Sequence, residues 1–299
     1  MKLIVQPDDG LGPLMKAVQH AKTSIDLVVF RFDRVDLEKA LAAAVARGVV
    51  VRVLIAYTNG GGEKLLRKLE PRLLQAGVTV TRTADDLPRY HGKMTIIDDE
   101  LFVLGFNFTR QDIERSRSFG LITHDKKLVK EAASLFEADS TRQPYSSTHD
   151  RFVVSPETSR ERLTGVIEKA RKQLLIYNDN VSDKLMLRLL RERADAGVEI
   201  RVIGKLAKNI PGVSARKLSD MRLHVRALIS DGTTAFVGSQ GLRKPEMDER
   251  REIGLIVKDA RIAKKMHAVF EADWALTKGP KTQADDEDDS DLTGEAAAG

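Results

Sequence analysis

Apolar residues along this chain recur at two spacings, every second position or every third to fourth, and the spacing switches at regular intervals. Residues 3–5 read as a short strand, and 11–21 place apolar side chains at helical spacing. Residues 24–30 (Ser-Ile-Asp-Leu-Val-Val-Phe) are strand-like. A helix follows from Asp36, the N-cap candidate, to Arg47, with Gly48 as its stop signal. The β-branched run at 49–55 has the composition of a buried parallel strand. Beyond a glycine loop at 59–62 come a helix over 63–76, strands near 78–81, 102–104 and 119–122, and a closing helix over 128–139. The polar, aperiodic stretch 140–150 predicts a linker. The same order then returns: strand 152–154, helix 159–170, strand 174–177, helix 183–196 and strand 199–203.

Landmarks repeat with the elements. Arg47-Gly48-Val49 with Arg52 matches Ala196-Gly197-Val198 with Arg201, 149 positions on. Leu135-Phe136-Glu137-Ala138-Asp139 matches Val269-Phe270-Glu271-Ala272-Asp273, 134 positions on. The shrinking offset assigns extra residues to the first copy, and the helix over 63–76 supplies them. Duplicated alternation of strands and helices predicts two similar α/β halves. We expect a first repeat over 1–139, a linker over 140–150, a second repeat over 151–276 and a disordered acidic tail over 277–299.

Charge sharpens that division. The chain of 299 residues carries a net +5, yet 279–299 hold seven acids against Lys281, which leaves residues 1–278 at +11. A basic body suits a polyanionic partner, either an anionic lipid surface or nucleic acid. Aromatic residues make up 5% of the chain, little material for stacking bases. There is no cysteine, which removes disulfides and thiolate metal sites and fits a reducing, cytoplasmic setting. The apolar stretch 41–57 is broken by Arg47 and Arg52, so no membrane span is expected, and the apolar run at 3–5 is too short for a secretory signal. Membrane contact would be peripheral.

Two matching stretches carry the chemistry. The first is His91-x-Lys93, four residues, then Asp98; the second is His224-x-Arg226, four residues, then Asp231, 133 positions on. Alternation predicts that His91, Lys93 and Thr95 share one face of a strand. An imidazole beside an ammonium suits phosphate chemistry, with the ring attacking or protonating and the cation neutralising oxygens. A glycine follows each Asp after seven residues (Gly105, Gly238), and Ser118-Phe119-Gly120 matches Glu252-Ile253-Gly254. Phe30, Arg31 and Phe32, after a strand, read first as packing and second as the mouth of a site. The loop 209–213 reads as a plain connection, with a lipid-dipping loop as its rival.

These motifs resemble the phospholipase D superfamily, whose signature His-x-Lys-x4-Asp, followed by Gly-Ser-x-Asn, occurs twice. The resemblance covers about residues 1–276. It implies two α-β-α sandwich halves with mixed sheets, facing each other about a pseudo-two-fold axis with one site at the seam, so that one chain completes it. It also implies a phosphohistidine intermediate without metal or cofactor. His91 and His224 would be the catalytic pair. The residues themselves leave the roles open; relatives whose first motif supplies the nucleophile point to His91 as nucleophile and His224 as general acid and base. Lys93 and Arg226 would bind phosphate oxygens, Asn107 would contact phosphate, and Glu252 would orient an imidazole. Asp98 and Asp231 would tie down the strand and the turn that follows it. The chain departs from the signature at Arg226, at Gly241 (where the Asn belongs, with Ser239 or Gln240 as substitutes) and at Ser118, where an acid would orient the other histidine. The leading expectation is a phospholipase D-like phosphodiesterase acting on phospholipid head groups at a membrane surface. Its rivals are a cardiolipin synthase-like phosphatidyltransferase, a metal-independent nuclease and a non-catalytic phosphate- or lipid-binding module.

Overall fold

In the computed structural model, which describes residues 1–57 and 63–278, the predicted alternation becomes two sheets built to one plan. The first set of elements is β1 (Lys2–Gln6), α1 (Gly12–His20), β2 (Ser24–Val29), α2 (Val35–Ala46), β3 (Val50–Ile55), α3 (Glu63–Gln75), β4 (Thr79–Arg82), β5 (Met94–Ile97), β6 (Glu100–Leu104), α4 (Arg110–Glu114), β7 (Ser116–Thr123) and α5 (Lys126–Thr141). The second set is β8 (Phe152–Ser155), α6 (Ser159–Glu168), β9 (Gln173–Val181), α7 (Lys184–Asp195), β10 (Glu199–Leu206), β11 (Val213–Leu218), β12 (Arg222–Leu223), β13 (Arg226–Ser230), β14 (Thr234–Gly238), α8 (Lys244–Asp248), β15 (Glu252–Val257), α9 (Ala260–Ala275) and β16 (Thr277–Lys278). Strands run in the order β1-β7-β6-β5-β2-β3-β4 in one sheet, with β12 pairing β7 off that path, and β8-β15-β14-β13-β9-β10-β11-β16 in the other, so seven strands of each half correspond and β16 is added at the edge of the second. Each sheet is mixed. β2-β3-β4 and β9-β10-β11 are parallel, and the strands on their other side are antiparallel.

The extra helix of the first half is α3, between β3 and β4; β10 passes to β11 without a counterpart. One apolar core runs through both halves, from Ile4, Val28 and Phe119 to Tyr177, Ile229 and Phe270. Alternate residues of the second sheet, among them Leu174, Ile176, Val202 and Phe236, face a second cluster that includes Leu163 and Leu190. Matched ion pairs tie strand to closing helix in each half: Arg52 on β3 to Glu137 on α5 at 2.9 Å, and Arg201 on β10 to Glu271 on α9 at 2.8 Å.

Several expectations shift at their edges. The N-cap of α2 is Arg34, not Asp36; the Asp36 carboxylate lies in the first turn and is held by the Arg34 guanidinium at 2.6 and 2.9 Å. The 140–150 linker is laid against the first half, because α5 continues to Thr141 and the Glu131 carboxylate takes the Tyr145 hydroxyl at 2.6 Å and the Thr148 amide at 2.7 Å. Thr277–Lys278, placed in the tail by composition, pair with β11; the rest of the tail and the 59–62 loop lie outside the described residues. Ile210 and Val213 are buried, so the 209–213 loop does not offer these two side chains to a lipid.

Candidate active site

The segments that carry the two histidines begin on the opposite half. Tyr90 bridges to Arg251, and β12, just before His224, pairs with β7. The His91 and Gly92 amides donate to the Arg251 carbonyl at 2.7 and 2.9 Å, and the His224 amide donates to the Arg117 carbonyl at 3.2 Å. His91 and Lys93 therefore precede the β5 ladder, on a crossing segment, rather than standing on the strand itself. The approach is close: a Cβ on Gly92 would meet Ile253 Cδ1 at 2.6 Å, so any larger residue would have to displace the buried Ile253 side chain.

Each carbonyl is fixed by its own arginine. Arg251 donates to Asp139 on α5 at 3.0 Å and to the Ser155 carbonyl at 2.8 Å. Arg117 forks onto Asp273 on α9 at 2.8 and 2.9 Å and donates to the Gln6 carbonyl at 2.7 Å. Tyr90 donates to Asp139, and Tyr177 to Asp273. Thus the closing helix of each half grips an arginine of the other, and that arginine holds the gripping half's histidine. Arg117 and Asp273 are both buried, so removing either would leave an uncompensated charge, at a cost of about 3–5 kcal/mol, whereas Arg251 has a second carboxylate in Glu157 at 2.6 Å.

His91 Nδ1 lies 2.8 Å from Glu252 Oε2, and its ring stands edge-on to Phe30 at 4.7 Å. With Nδ1–H donating to the carboxylate, Nε2 keeps its lone pair. Burial pushes the His91 pKa well below the usual histidine value, and the Lys93, Arg226, Arg89 and Arg250 charges push it further, so the ring is neutral and nucleophilic near neutral pH. Burial also lifts Glu252 to about 7 against the pull of Lys93, and lowers Lys93 to about 7 against the pull of Glu252 and Asp112. The Lys93 ammonium, 1% exposed, donates to the His91 carbonyl at 2.6 Å and lies 5.2 Å from the Phe30 ring centre.

The other histidine is held more loosely. His224 Nδ1 is 3.4 Å from Asp112 Oδ2, an ion-pair contact without hydrogen-bond geometry. Burial lowers the His224 pKa; Asp112 opposes this, while Lys93 and Arg226 add to it. Lys93 and Arg226, one from each motif, act on both imidazoles, which puts the two motifs within electrostatic reach of one another. Arg226 pairs with Asp179 at 3.2 Å, and Asn107 donates to Asp112 at 2.6 Å. Asn107 Oδ1, Arg226 Nε and Glu252 Oε1 are buried without a hydrogen-bond partner among the described residues, a concentration of unspent polar capacity typical of a working site.

Not every candidate meets there. Asp98 accepts the Lys22, Thr23 and Ser24 amides at 2.8–3.0 Å, and Asp231 accepts those of Arg171, Lys172 and Gln173 at the same range. Both therefore cap the turn before the neighbouring strand, not the turn after their own motif. Gln240 turns away and donates to the Val153 carbonyl at 2.9 Å and to Ser159 at 3.1 Å. The Ser239 hydroxyl is engaged with the Ile253 backbone at 3.1 and 3.4 Å, beside Glu252. Neither replaces the missing Asn as a phosphate ligand. The space in front of Gly241 is filled by Glu246, whose Oε2 would lie 1.9 Å from an added Cβ. Asp112 escaped the sequence reading, which looked for an acid at Ser118. Asp112 and Glu246 stand 134 positions apart, the offset of the other landmarks, and that pairing of acids was the available signal.

Among the described residues, no group of three or more His, Asp or Glu is placed to hold a metal ion, and no helix is long and apolar enough to cross a membrane.

Comparison with known proteins agrees with this geometry. Over 136 residues the chain is 34% identical to the "Mitochondrial cardiolipin hydrolase" of Homo sapiens, covering 44% of this chain and 50% of the relative. The protein of that name from Mus musculus is 33% identical over 135 residues, 44% of this chain and 58% of the relative. The chain thus spans about half the length of the curated relatives it matches. In fold it is similar to the phosphatidylserine synthase of Haemophilus influenzae Rd KW20, with a TM-score of 0.70 at 11% identity over 94% of this chain and 87% of that one. It is also similar to the polyphosphate kinase of Porphyromonas gingivalis, with a TM-score of 0.75 at 19% identity over 90% and 46% of the two chains. The family model described as "Cardiolipin synthase, PLD-like domain" matches residues 14–140 and 163–274, and with both motifs at one seam the chain belongs to the phospholipase D superfamily.

Proposed function

We propose that this chain cleaves phospholipid phosphodiesters at the head-group side through a phosphohistidine on His91. The observation that carries the reading is the 2.8 Å contact between His91 Nδ1 and Glu252, which leaves Nε2 free to attack. The attack forms the N–P bond as the head-group oxygen leaves, and His224 supplies that oxygen with a proton. In the free enzyme Lys93 and Arg226 disfavour a protonated His224; an anionic diester between them offsets both charges, so substrate itself prepares the acid. His224, now neutral, takes a proton from water, whose oxygen displaces His91 from phosphorus. Lys93, Arg226 and the Asn107 side chain hold the non-bridging oxygens. An alcohol in place of that water gives phosphatidyl transfer, the reading that the family model's description favours. The similarity to cardiolipin hydrolases supports a lipid substrate, met at the membrane surface.

The test is an assay in EDTA on vesicles of phosphatidylcholine, phosphatidylglycerol and cardiolipin, beside DNA, with and without added glycerol. Head-group release that disappears in His91→Ala is the expected result. DNA cleavage with every lipid untouched would sink the lipid reading, and phosphatidylglycerol formed from added glycerol would establish transfer.

A further inference from the structure

Four cationic or polar groups converge on one phenyl ring beside the nucleophile. Phe30 is buried, with the His91 ring 4.7 Å and Lys93 Nζ 5.2 Å from its centre. The guanidinium carbons of Arg31 and Arg89 lie 5.6 and 5.5 Å from the same centre. Each guanidinium is therefore no farther from the imidazole than two ring contacts laid end to end.

Most arginines around the seam are neutralised by carboxylates. Arg117 meets Asp273, Arg251 meets Asp139 and Glu157, and Arg226 meets Asp179. Arg222, which stands 133 positions after Arg89 and matches it in the second half, is bound by Asp112. Arg31 and Arg89 form no ion pair with a carboxylate among the described residues. Among the described residues Arg250 pairs only with Glu246, at 3.4 Å, a carboxylate it shares with Arg243. The Arg251 amide donates to the Arg89 carbonyl at 2.9 Å, which brings Arg250 beside Arg89. Burial and then the charges of Arg250 and Arg31 weaken the hold of half-buried Arg89 on its proton, against the opposing pull of Glu252 and Glu246. Like charges gathered and partly desolvated are costly unless an anion joins them.

We propose that Arg31, Arg89 and Arg250 form a second anion site beside His91, which takes a second phosphate group of the substrate, carried on the head group beyond the scissile phosphorus. The assignment of that phosphate to a lipid rests on the proposed function above. A guanidinium fork matches phosphate oxygens, and several forks suit a phosphomonoester dianion better than a lone carboxylate. The same arrangement disfavours choline or ethanolamine. A cationic head group would seek the face of an aromatic ring, and around Phe30 it would meet resident cations.

Two spaced anions test the site itself. Isothermal titration of the whole chain in EDTA with 1,3-propanediol bisphosphate and with propyl phosphate should show the bisphosphate binding about tenfold tighter or more. Arg31→Gln/Arg89→Gln should bring that ratio to within about threefold, and the exposed single variant Arg31→Gln should lower it in part. Arg188→Gln, at an exposed position on α7, should leave it intact and controls for net charge. Equal affinity for the two ligands, or a ratio preserved in the double variant, overturns the second site whether or not the enzyme turns over. The lipid arm compares kcat/KM in mixed micelles for phosphatidylglycerophosphate, phosphatidylglycerol and phosphatidylcholine. The first should lead, and its lead should shrink in the double variant. Dependence on both arginines in oligonucleotide cleavage, with no lipid turned over, would overturn the lipid source of the second phosphate.

Discussion

The two halves of the site began as copies and now treat their histidines differently. His91 is gripped by a carboxylate at 2.8 Å, whereas His224 rests 3.4 Å from one, without hydrogen-bond geometry. Lys93 is covered by Phe30, and Arg226, in the matching place, is paired with Asp179, which stands 149 positions after Phe30. Asn107 is held ready by Asp112; its counterpart Gly241 has yielded its space to Glu246. The acids have also exchanged duties. Glu252 serves His91 from the start of β15, and because Ser118 occupies the matching place, Asp112 on α4 approaches His224 instead. The difference teaches that the fold duplicates a platform while each histidine's partner is free to change. A nucleophile needs one fixed tautomer, whereas a group that gains and loses a proton each turnover tolerates a looser hold.

The hardest way to break the comparison is to remove each histidine in turn. His91→Ala should lower lipid turnover by about 10⁴-fold or more, and His224→Ala by roughly 10²–10⁴-fold. With bis(p-nitrophenyl) phosphate, whose leaving group needs no proton, His224→Ala should still release one equivalent of nitrophenol in a burst and leave a labelled phosphoenzyme. A burst in His91→Ala instead would reverse the roles. Next in size, Glu252→Gln should cost about 10³-fold in kcat by misplacing the His91 tautomer, and Asp112→Asn only about tenfold. Equal losses would mean that the two contacts do equal work.

The pH profile sharpens the same contrast. Glu252 must be ionised to hold Nδ1–H, so activity rises as pH climbs through about 7. Lys93 must be protonated to hold phosphate, so activity falls as pH climbs through about 7. The kcat/KM profile should be a narrow bell near neutrality. Lys93→Arg, which makes the first motif match the second, should remove the alkaline limb. An alkaline limb that survives this change would assign it to another group.

Much of this was legible in the chain. Helical and strand spacings located the repeated elements, and the 149- and 134-residue offsets paired Arg52 and Glu137 with Arg201 and Glu271, which prove to be matched ion pairs. Glu252 was found because it stands at a fixed distance from its motif. Asp112 was not, because it reaches His224 from a five-residue helix whose direction no periodicity reports. Nor could spacing say that the Arg251 and Arg117 carbonyls fix the histidine segments, since a backbone group has no letter in the sequence. Gln240 was misplaced for a related reason. Nearness along the chain to Gly241 says nothing about which side of the sheet its amide faces, and it faces Val153 and Ser159.

The smallest effect belongs to residues that the halves still share, and it serves as the control. Asp98 and Asp231 each accept three backbone amides, and each has φ near +50°, a conformation that Asn also tolerates. Burial raises the pKa of each, but the three amide hydrogen bonds outweigh it and hold both below the usual carboxylate value. A carboxylate depressed in the folded state stabilises above its unfolded pKa and loses that contribution as pH falls through its folded pKa. Asp98→Asn and Asp231→Asn should therefore each lower stability by about 1–2 kcal/mol at pH 7, with little difference between them. The deficit should shrink on going from pH 7 to a strongly acidic pH, as wild type loses the same charge through the depressed pKa of each carboxylate. Chemical denaturation of both variants at the two pH values measures this. A loss confined to one half would show that the asymmetry of the site reaches into the turns that support it.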